Sequence, residues 1–329
     1  MFTGKAPVAR DPNAHDHADR VRAVAEAKAV SGQDPFAASW RRSLINHRID
    51  PATGADCMRL EQATIRARRE ASGRLLSVAA PILDRLARAA GEAGCTVLLT
   101  DAAGLILEER VRAGDRAYFT GTGLVQGADW SERREGTNGI GTCVAEARPV
   151  IVHRDQHFRT RNTALTCMGA PVFGASGELA GVIDVSSARD DMSEAYARFI
   201  ALTVQDAAHR IEADLFRDTF SGARIVSAAS DEAAGGGAMM LLAVNRDDLV
   251  IGATRAARKR LGLDPDQFGR LPAADVLGSA GETGLQAAQR AEMTRALMRS
   301  GGNVSAAARD LGISRATFYR KAASLGLDV

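Results

Sequence analysis

The chain has 329 residues, a length that predicts two or three domains, with 46% hydrophobic residues, 25% charged residues and a net charge of only +2. No apolar run approaches the ~20 residues that a membrane helix needs. The opening "MFTGKAPVARDPNAHDHADR" lacks the apolar core of a signal peptide, so the expectation is a cytoplasmic protein with no membrane association. Cys57, Cys95, Cys143 and Cys167 show no CxxC spacing, which favours free thiols over disulfides.

Residues 18–30, 38–47 and 59–90 are predicted to be mostly helical. In the last of these, Leu75, Leu76, Ala79, Leu83 and Leu86 form an apolar stripe, and Pro81 predicts a break or kink. From Cys95 the pattern changes to strands. "CTVLLTDAAGLILEERV" is a hairpin signal that turns around Asp101 to Gly104. "GTNGIGTCVAEA", Gly136 to Ala147, reads as a short helix entered through glycines, and "PVIVH" returns to strand. A second hairpin runs from Leu165 to Ser187 with "GASG" at its turn. A sheet with hairpins at both ends and helices to one side is α+β. Beyond it, Tyr196, Ile200, Val204, Ala207, Ile211 and Leu215 make a long helical stripe, which either packs on the domain's own sheet or forms a dimer seam. "AMMLLAVNRDDLVIGATRAARKRLGL" then reads as strand, acidic turn, strand and helix. "GSAGETG", Gly278 to Gly284, reads as a linker.

Few residues of this body carry a chemical signal. Gly136, Gly139 and Gly141 follow G-x-x-G-x-G, which is not the dinucleotide fingerprint, and a tight backbone turn is the simpler reading. Trp130 is either a packing anchor or the lid of a pocket. His153 and His157 bracket Asp155, but the segment follows a strand and no further ligand is suitably spaced. No metal is therefore expected there, nor at His15 and His17 in an irregular polar terminus. Cys143 and Cys167 read as small buried residues or, alternatively, as reactive thiols, although Cys143 has no adjacent base in sequence. Arg255, Arg258, Lys259 and Arg260 form either a solvated face or a supplementary phosphate contact.

The last stretch is more specific. From Gln286 onward the bases Arg290, Arg295, Arg299, Arg309, Arg315, Arg320 and Lys321 outweigh the acids Glu292, Asp310 and Asp328. A helix between Leu285 and Ser300 stops at Gly301-Gly302, and Asn303 has the chemistry to cap the next one. Val304, Ala307, Ala308 and Leu311 share one face, Gly312 suits a left-handed C-cap, and Ile313 plugs the corner. Ser314 caps a third helix that buries Phe318, Ala322 and Leu325. Ala316 and Arg320 then point away from the core, flanked by Thr317 and Tyr319, with Arg315 in the exposed first turn. Such a helix suits a DNA groove: Arg315 or Arg320 would reach a guanine, Tyr319 and Lys321 would hold phosphates, and Asn303, Ser314, Ala316 and Thr317 complete the expected DNA-binding set.

"GGNVSAAARDLGISRATFYRKAASLGL" closely resembles the Fis-type helix-turn-helix that ends many bacterial enhancer-binding activators. The resemblance implies dimers on palindromic double-stranded DNA. "SWRRSL" at Ser39, "WSERREGTNGIGTCVAEARPVIVHRDQHF" at Trp130 and "LTCMGAPVFGASGELAGVIDVSS" at Leu165 resemble the GAF sensor domain of the acetoin-catabolism regulator family, over roughly residues 35–215. That implies a domain binding a small-molecule effector, with no cofactor and no catalysis, and with Trp130, Asn138, Cys143 and Cys167 as candidate ligand contacts. GAF-fold methionine-sulfoxide reductases use cysteines, so a thiol protein is the alternative from another class. A third reading is an accessory protein that pairs with a full-length activator. The segment from Ala238 is similar to the opening of a PAS domain, of which only the first half is present.

Activators of this kind commonly carry an ATPase with a P-loop. The four lysines, Lys5, Lys28, Lys259 and Lys321, are each followed by Ala or Arg, never by Ser or Thr, so ATP-driven activation is excluded for this chain. The expected layout is a helical region at 1–92, a GAF-like sensor at 93–190 and a connecting or dimerisation helix at 191–220. A partial PAS-like segment at 221–276 and a Fis-type DNA-binding unit at 285–329 complete it. The function expected is a homodimeric, sequence-specific transcription regulator.

Overall fold

The computed structural model describes residues 12–27, 36–52, 59–228, 237–277 and 284–327. Cys57 and most of the expected linker lie outside them. The chain divides into two compact units, one ending at Arg270 and the other beginning at Leu271.

The first unit opens with α1 (Pro12–Glu26), so His15 and His17 lie on a helix and not in an irregular terminus. After it, α2 (Ala37–Arg41) runs on as one wide turn through Arg42–Asn46. Val21, Ala25, Phe36 and Trp40 bury their side chains together with Val152 and Phe158. Next come α3 (Gln62–Ala71) and α4 (Gly73–Glu92). The break falls at Ser72, and α4 continues through Pro81, contrary to the expected interruption. Pro81 is exposed, so its ring is turned to solvent and the helix forfeits one backbone bond without losing its buried face.

Five strands follow: β1 (Cys95–Thr100), β2 (Ile106–Arg110), β3 (Val150–His153), β4 (Thr166–Phe173) and β5 (Leu179–Ser187). Their order is β2-β1-β5-β4-β3, antiparallel throughout, with the two hairpins where the sequence places them. At the first turn Asp101 Oδ1 accepts the amides of Ala103 (2.8 Å) and Leu105 (3.0 Å), and Gly104 takes φ +88°. Three short helices lie between β2 and β3: α5 (Arg116–Thr122), α6 (Glu132–Glu135) and α7 (Gly139–Glu146).

Helices cover both faces of this sheet, not one. Met168, Ala170, Val172, Ile183 and Val185 point to α4 and α8 (Glu194–Thr219). Their neighbours Cys167, Gly169, Val182 and Asp184 point to α7. The reason is legible in "TCMGAPV", where apolar and small residues run on without polar alternation, as a strand buried on both faces requires.

The long stripe of α8 is spent on this core: Ile200, Val204, Ala207, Ile211 and Leu215 are all buried on the sheet. Tyr196 is 45% exposed and is not part of it. Farther along, Ala213 and Phe216 of the same helix join a second cluster with Leu241 and Ala243. That cluster belongs to β6 (Arg224–Ser227), β7 (Leu241–Val244) and β8 (Leu249–Ala253), paired in sequence order and antiparallel, with α9 (Arg255–Leu261) capped by Thr254. Arg255 stacks 3.8 Å over the Phe173 ring at the end of β4, and Glu212 of α8 accepts the Phe173 amide at 2.9 Å.

In the second unit, α10 (Ala273–Val276) is followed by α11 (Leu285–Arg299), α12 (Val304–Asp310) and α13 (Arg315–Ser324). Among the described residues no helix is long and apolar enough to cross a membrane.

Candidate nucleic-acid interface and sensor site

The C-terminal helices enclose Met293, Ala296, Leu297, Ala307, Ala308, Phe318 and Ala322. Asn303 Oδ1 accepts the Ala306 amide at 3.1 Å and Ser314 Oγ accepts the Thr317 amide at 3.1 Å, so each caps the helix that follows it. Gly312 takes φ +64° between α12 and α13, and the Ile313 amide returns to the Ala308 carbonyl at 2.9 Å. Full burial of Phe318 and Ala322 sets the rotation of α13. Arg315, Ala316, Tyr319 and Arg320 consequently face solvent, with Thr317 and Lys321 half-buried at the flanks. The Arg315 guanidinium lies 5.6 Å over the Tyr319 ring and donates to its hydroxyl at 3.4 Å.

The bases of the two outer helices differ in state. On α11, Arg295 pairs with Glu292, and Arg299 with Glu292 and Asp310. Arg315, Arg320 and Lys321 enter no ion pair among the described residues. Charge that is not neutralised within the fold is thus concentrated on α13, a helix whose width suits the major groove.

The four residues expected to contact a ligand in the sensor are all buried. Trp130 is 1% exposed and donates its indole N–H to the Gly123 carbonyl at 2.8 Å. Asn138 Oδ1 accepts the amides of Ile140 (2.9 Å) and Gly141 (2.8 Å). Its amide nitrogen donates to the carbonyls of Trp130 (3.0 Å) and Gly136 (2.8 Å), so its bonding capacity is used in starting α7. Cys143 and Cys167 are both buried. A Cβ on Gly139 would lie 2.5 Å from Cys167 Cβ and 2.6 Å from Asp184 Oδ1, so α7 rests its backbone on the sheet.

The sequence did not disclose what surrounds Cys167. His157 Nε2 lies 3.3 Å from its Sγ, and Ser186 Oγ lies 3.1 Å from the same sulfur while donating to Asp184 Oδ2 at 2.5 Å. Burial pushes both thiols up, holds His157 down at about 4 and raises Asp184 to about 6 against the Ser186 hydrogen bond. A protonated thiol beside a neutral imidazole is a poor nucleophile, because the thiolate is the reactive form. The rest of "HRDQH" diverges: His153 Nδ1 meets Thr166 Oγ1 at 2.9 Å, and Asp155 pairs with Arg20 at 2.8 Å. Among the described residues no group of three His, Cys, Asp or Glu side chains could hold a metal.

Two buried ionic networks were also missed. Glu132, 5% exposed, accepts from Arg42 Nε (2.6 Å) and Nη2 (2.9 Å) and from Ser39 Oγ, which in turn touches Thr137 Oγ1 at 2.6 Å. Glu135 accepts two bonds of 2.6 Å from Arg161 and faces Arg159 at 3.4 Å. The signal was present as opposite charges in "SWRRSL", "WSERREG" and "HFRTRN". Open space lies elsewhere, in a groove of about 350 Å³ beside β3 lined by Arg148, Val150, Ile151, His153 and Gln156.

Comparison with known proteins agrees with both halves of this description. The GAF domain family matches residues 74–211, a span that takes in α4 and most of α8. The family "Bacterial regulatory protein, Fis family" matches residues 285–323. The acetoin catabolism regulatory protein of Cupriavidus necator is 29% identical over 256 residues, 74% of this chain and 36% of that protein. The acetoin dehydrogenase operon transcriptional activator AcoR of Bacillus subtilis is 30% identical over 153 residues, 46% of this chain and 25% of that protein. The chain thus spans about a third or less of the length of these curated relatives. Among solved structures, a chain of the E. coli DhaR(N)-DhaL complex superposes with a TM-score of 0.50 at 17% identity, over 72% of this chain and 79% of that one, a likeness of fold alone. This chain therefore carries a GAF domain followed, toward its C-terminal end, by a Fis-family bacterial regulatory domain.

Proposed function

We propose that the chain is a DNA-binding transcription regulator of the bacterial cytoplasm, acting as a homodimer on palindromic double-stranded sites and answering to a small-molecule effector through its GAF domain. The observation that carries this reading is the face of α13, where Arg315, Ala316, Tyr319 and Arg320 are exposed opposite the buried Phe318. Relatives whose names describe transcriptional control support it. No lysine of these 329 residues sits in a P-loop, and the reading assigns them no ATP-driven step. The thiol alternative is disfavoured by the neutral, buried Cys167–His157 contact.

The test is selection of genomic fragments by the purified full chain, followed by footprinting. The expected result is a paired motif with half-sites about one helical turn, ~34 Å, apart. Binding that prefers no sequence over bulk competitor would overturn the proposal.

A further inference from the structure

The outer face of α8 carries an unusual arrangement. Phe199 is 67% exposed and Leu202 66%, side by side on a helix whose opposite face is fully used. Scattered surface apolar groups are ordinary, but two large ones flanked by Tyr196 form a patch. Leu202 also sits at the centre of a single row at four-residue spacing: Glu194, Arg198, Leu202, Asp206 and Arg210, all exposed. Within the chain the charges pair along the row, Arg198 with Glu194 at 2.9 Å and Arg210 with Asp206 at 2.7 Å.

Read in reverse, the row is complementary to itself. Glu194 falls against Arg210, Arg198 against Asp206, and Leu202 against Leu202. A row at this spacing is the ridge that interlocks when two helices cross at about −50°, the commonest packing class. We infer that a second copy of this chain packs against α8 in antiparallel fashion, about a two-fold axis at Leu202. Its Arg198 and Asp206 then lie beside Asp206 and Arg198 of the first copy. A two-fold interface must be self-complementary, which this row satisfies in the antiparallel sense. A parallel approach sets Arg198 level with Arg198 and Asp206 level with Asp206. Burial of Leu202 and Phe199 supplies the attraction, and the exposed ion pairs select the direction.

This inference rests on the homodimer proposed above but not on DNA recognition, and the experiment separates the two. Leu202→Cys is introduced into the full chain, and the rate of disulfide-linked dimer formation is followed under mild oxidation, with the wild-type chain as background. Cys95, Cys143 and Cys167 are buried and do not compete, and Cys57 is replaced by serine in every chain compared. Rapid cross-linking is expected. Adding Arg198→Glu slows it roughly fivefold to thirtyfold, since two symmetric pairs become repulsive. Adding Asp206→Arg as well restores it. The rescue is diagnostic because the double swap leaves both intrachain pairs repulsive, so only a contact between copies can recover. Unchanged thermal unfolding shows that each variant is folded. A chain that sediments as a dimer but does not cross-link through residue 202 loses this seam and keeps the homodimer, and a monomer at micromolar concentration loses both. Cross-linking indifferent to Arg198→Glu, or slowed without rescue, overturns the antiparallel arrangement.

Discussion

Arg42 on the N-terminal segment and Glu132 at the start of α6, 90 residues apart in sequence, are joined by two hydrogen bonds of 2.6 and 2.9 Å. Glu132 is buried, whereas the Arg42 side chain keeps 32% of its surface exposed. Glu132→Ala removes the main acceptor of a half-buried guanidinium, which keeps only Glu146 at 3.5 Å, and one partner of the Ser39 hydroxyl. It is expected to cost about 3 kcal/mol, the low end for a broken buried pair, measured by urea unfolding. Arg42→Lys keeps the charge but loses the fork and should cost about 1 kcal/mol.

Asp184 gives the protein a pH signature. Burial raises its folded pKa from 3.8 to about 6, so between those values the folded chain holds a proton that the unfolded chain releases. Stability from this group therefore falls as pH rises from about 4 to 6. Asp184→Asn should add on the order of 1–3 kcal/mol at pH 7.5. Its advantage over the wild type should shrink on acidification and vanish near pH 4, as read from the difference between paired melts. His157 has the opposite sign: held at about 4, it contributes stability above pH 6.5 that is lost as the pH falls toward 4.

The same cluster predicts inert thiols. Treated with iodoacetamide at pH 8, Cys143 and Cys167 should remain unmodified in the folded chain and react once it is unfolded in guanidinium, as mass spectrometry of peptides would report. Rapid labelling of native Cys167 would revive the thiol-protein reading.

Gly139 is expected to tolerate no side chain. Alanine would place a methyl group 2.5 Å from Cys167 Cβ and 2.6 Å from Asp184 Oδ1, so α7 must lift from the sheet. A loss of roughly 1–3 kcal/mol is anticipated in thermal or urea unfolding, the usual range for an overpacked core. Alanine at the exposed Ser305 serves as the control.

For the DNA-binding proposal, Arg320→Ala should relax base preference at one position by about 1–3 kcal/mol. Lys321→Ala should weaken all sequences alike and reduce the salt slope by about one charge. Titrations of specific and scrambled duplexes at several salt concentrations distinguish the two. Identical binding by both variants and the wild type would contradict the assignment of α13.

What could be read beforehand was what local chemistry decides. Asn303, Gly312 and Ser314 identify helix ends by their own backbone preferences, and the hairpins announce themselves at Asp101 to Gly104 and at "GASG". Contacts between distant segments were not readable. Nothing near Cys167 in sequence points to His157 and Ser186 as its neighbours, since the pairing of Cys167 on β4 with Ser186 on β5 and a turn after β3 bring them there. The stripe on α8 was ambiguous for a related reason. Helical periodicity states that one face is apolar but not what covers it, and here the sheet does. The glycines of "GTNGIGT" look alike in the sequence, yet Gly136 turns the chain at φ +67° while Gly139 lets two backbones meet.

One rod, α8, is anchored at both ends in different hydrophobic clusters: Ile200 to Leu215 on the five-stranded sheet, then Ala213 and Phe216 under β7. At 26 residues it is about 39 Å of unbroken helix. No break exists along it at which the sensor and the smaller second sheet could swivel independently. A protease has no seam to open between them within this helix, and the rod that the sheet end seats is the same one that carries Phe216, like a lever without a pivot of its own.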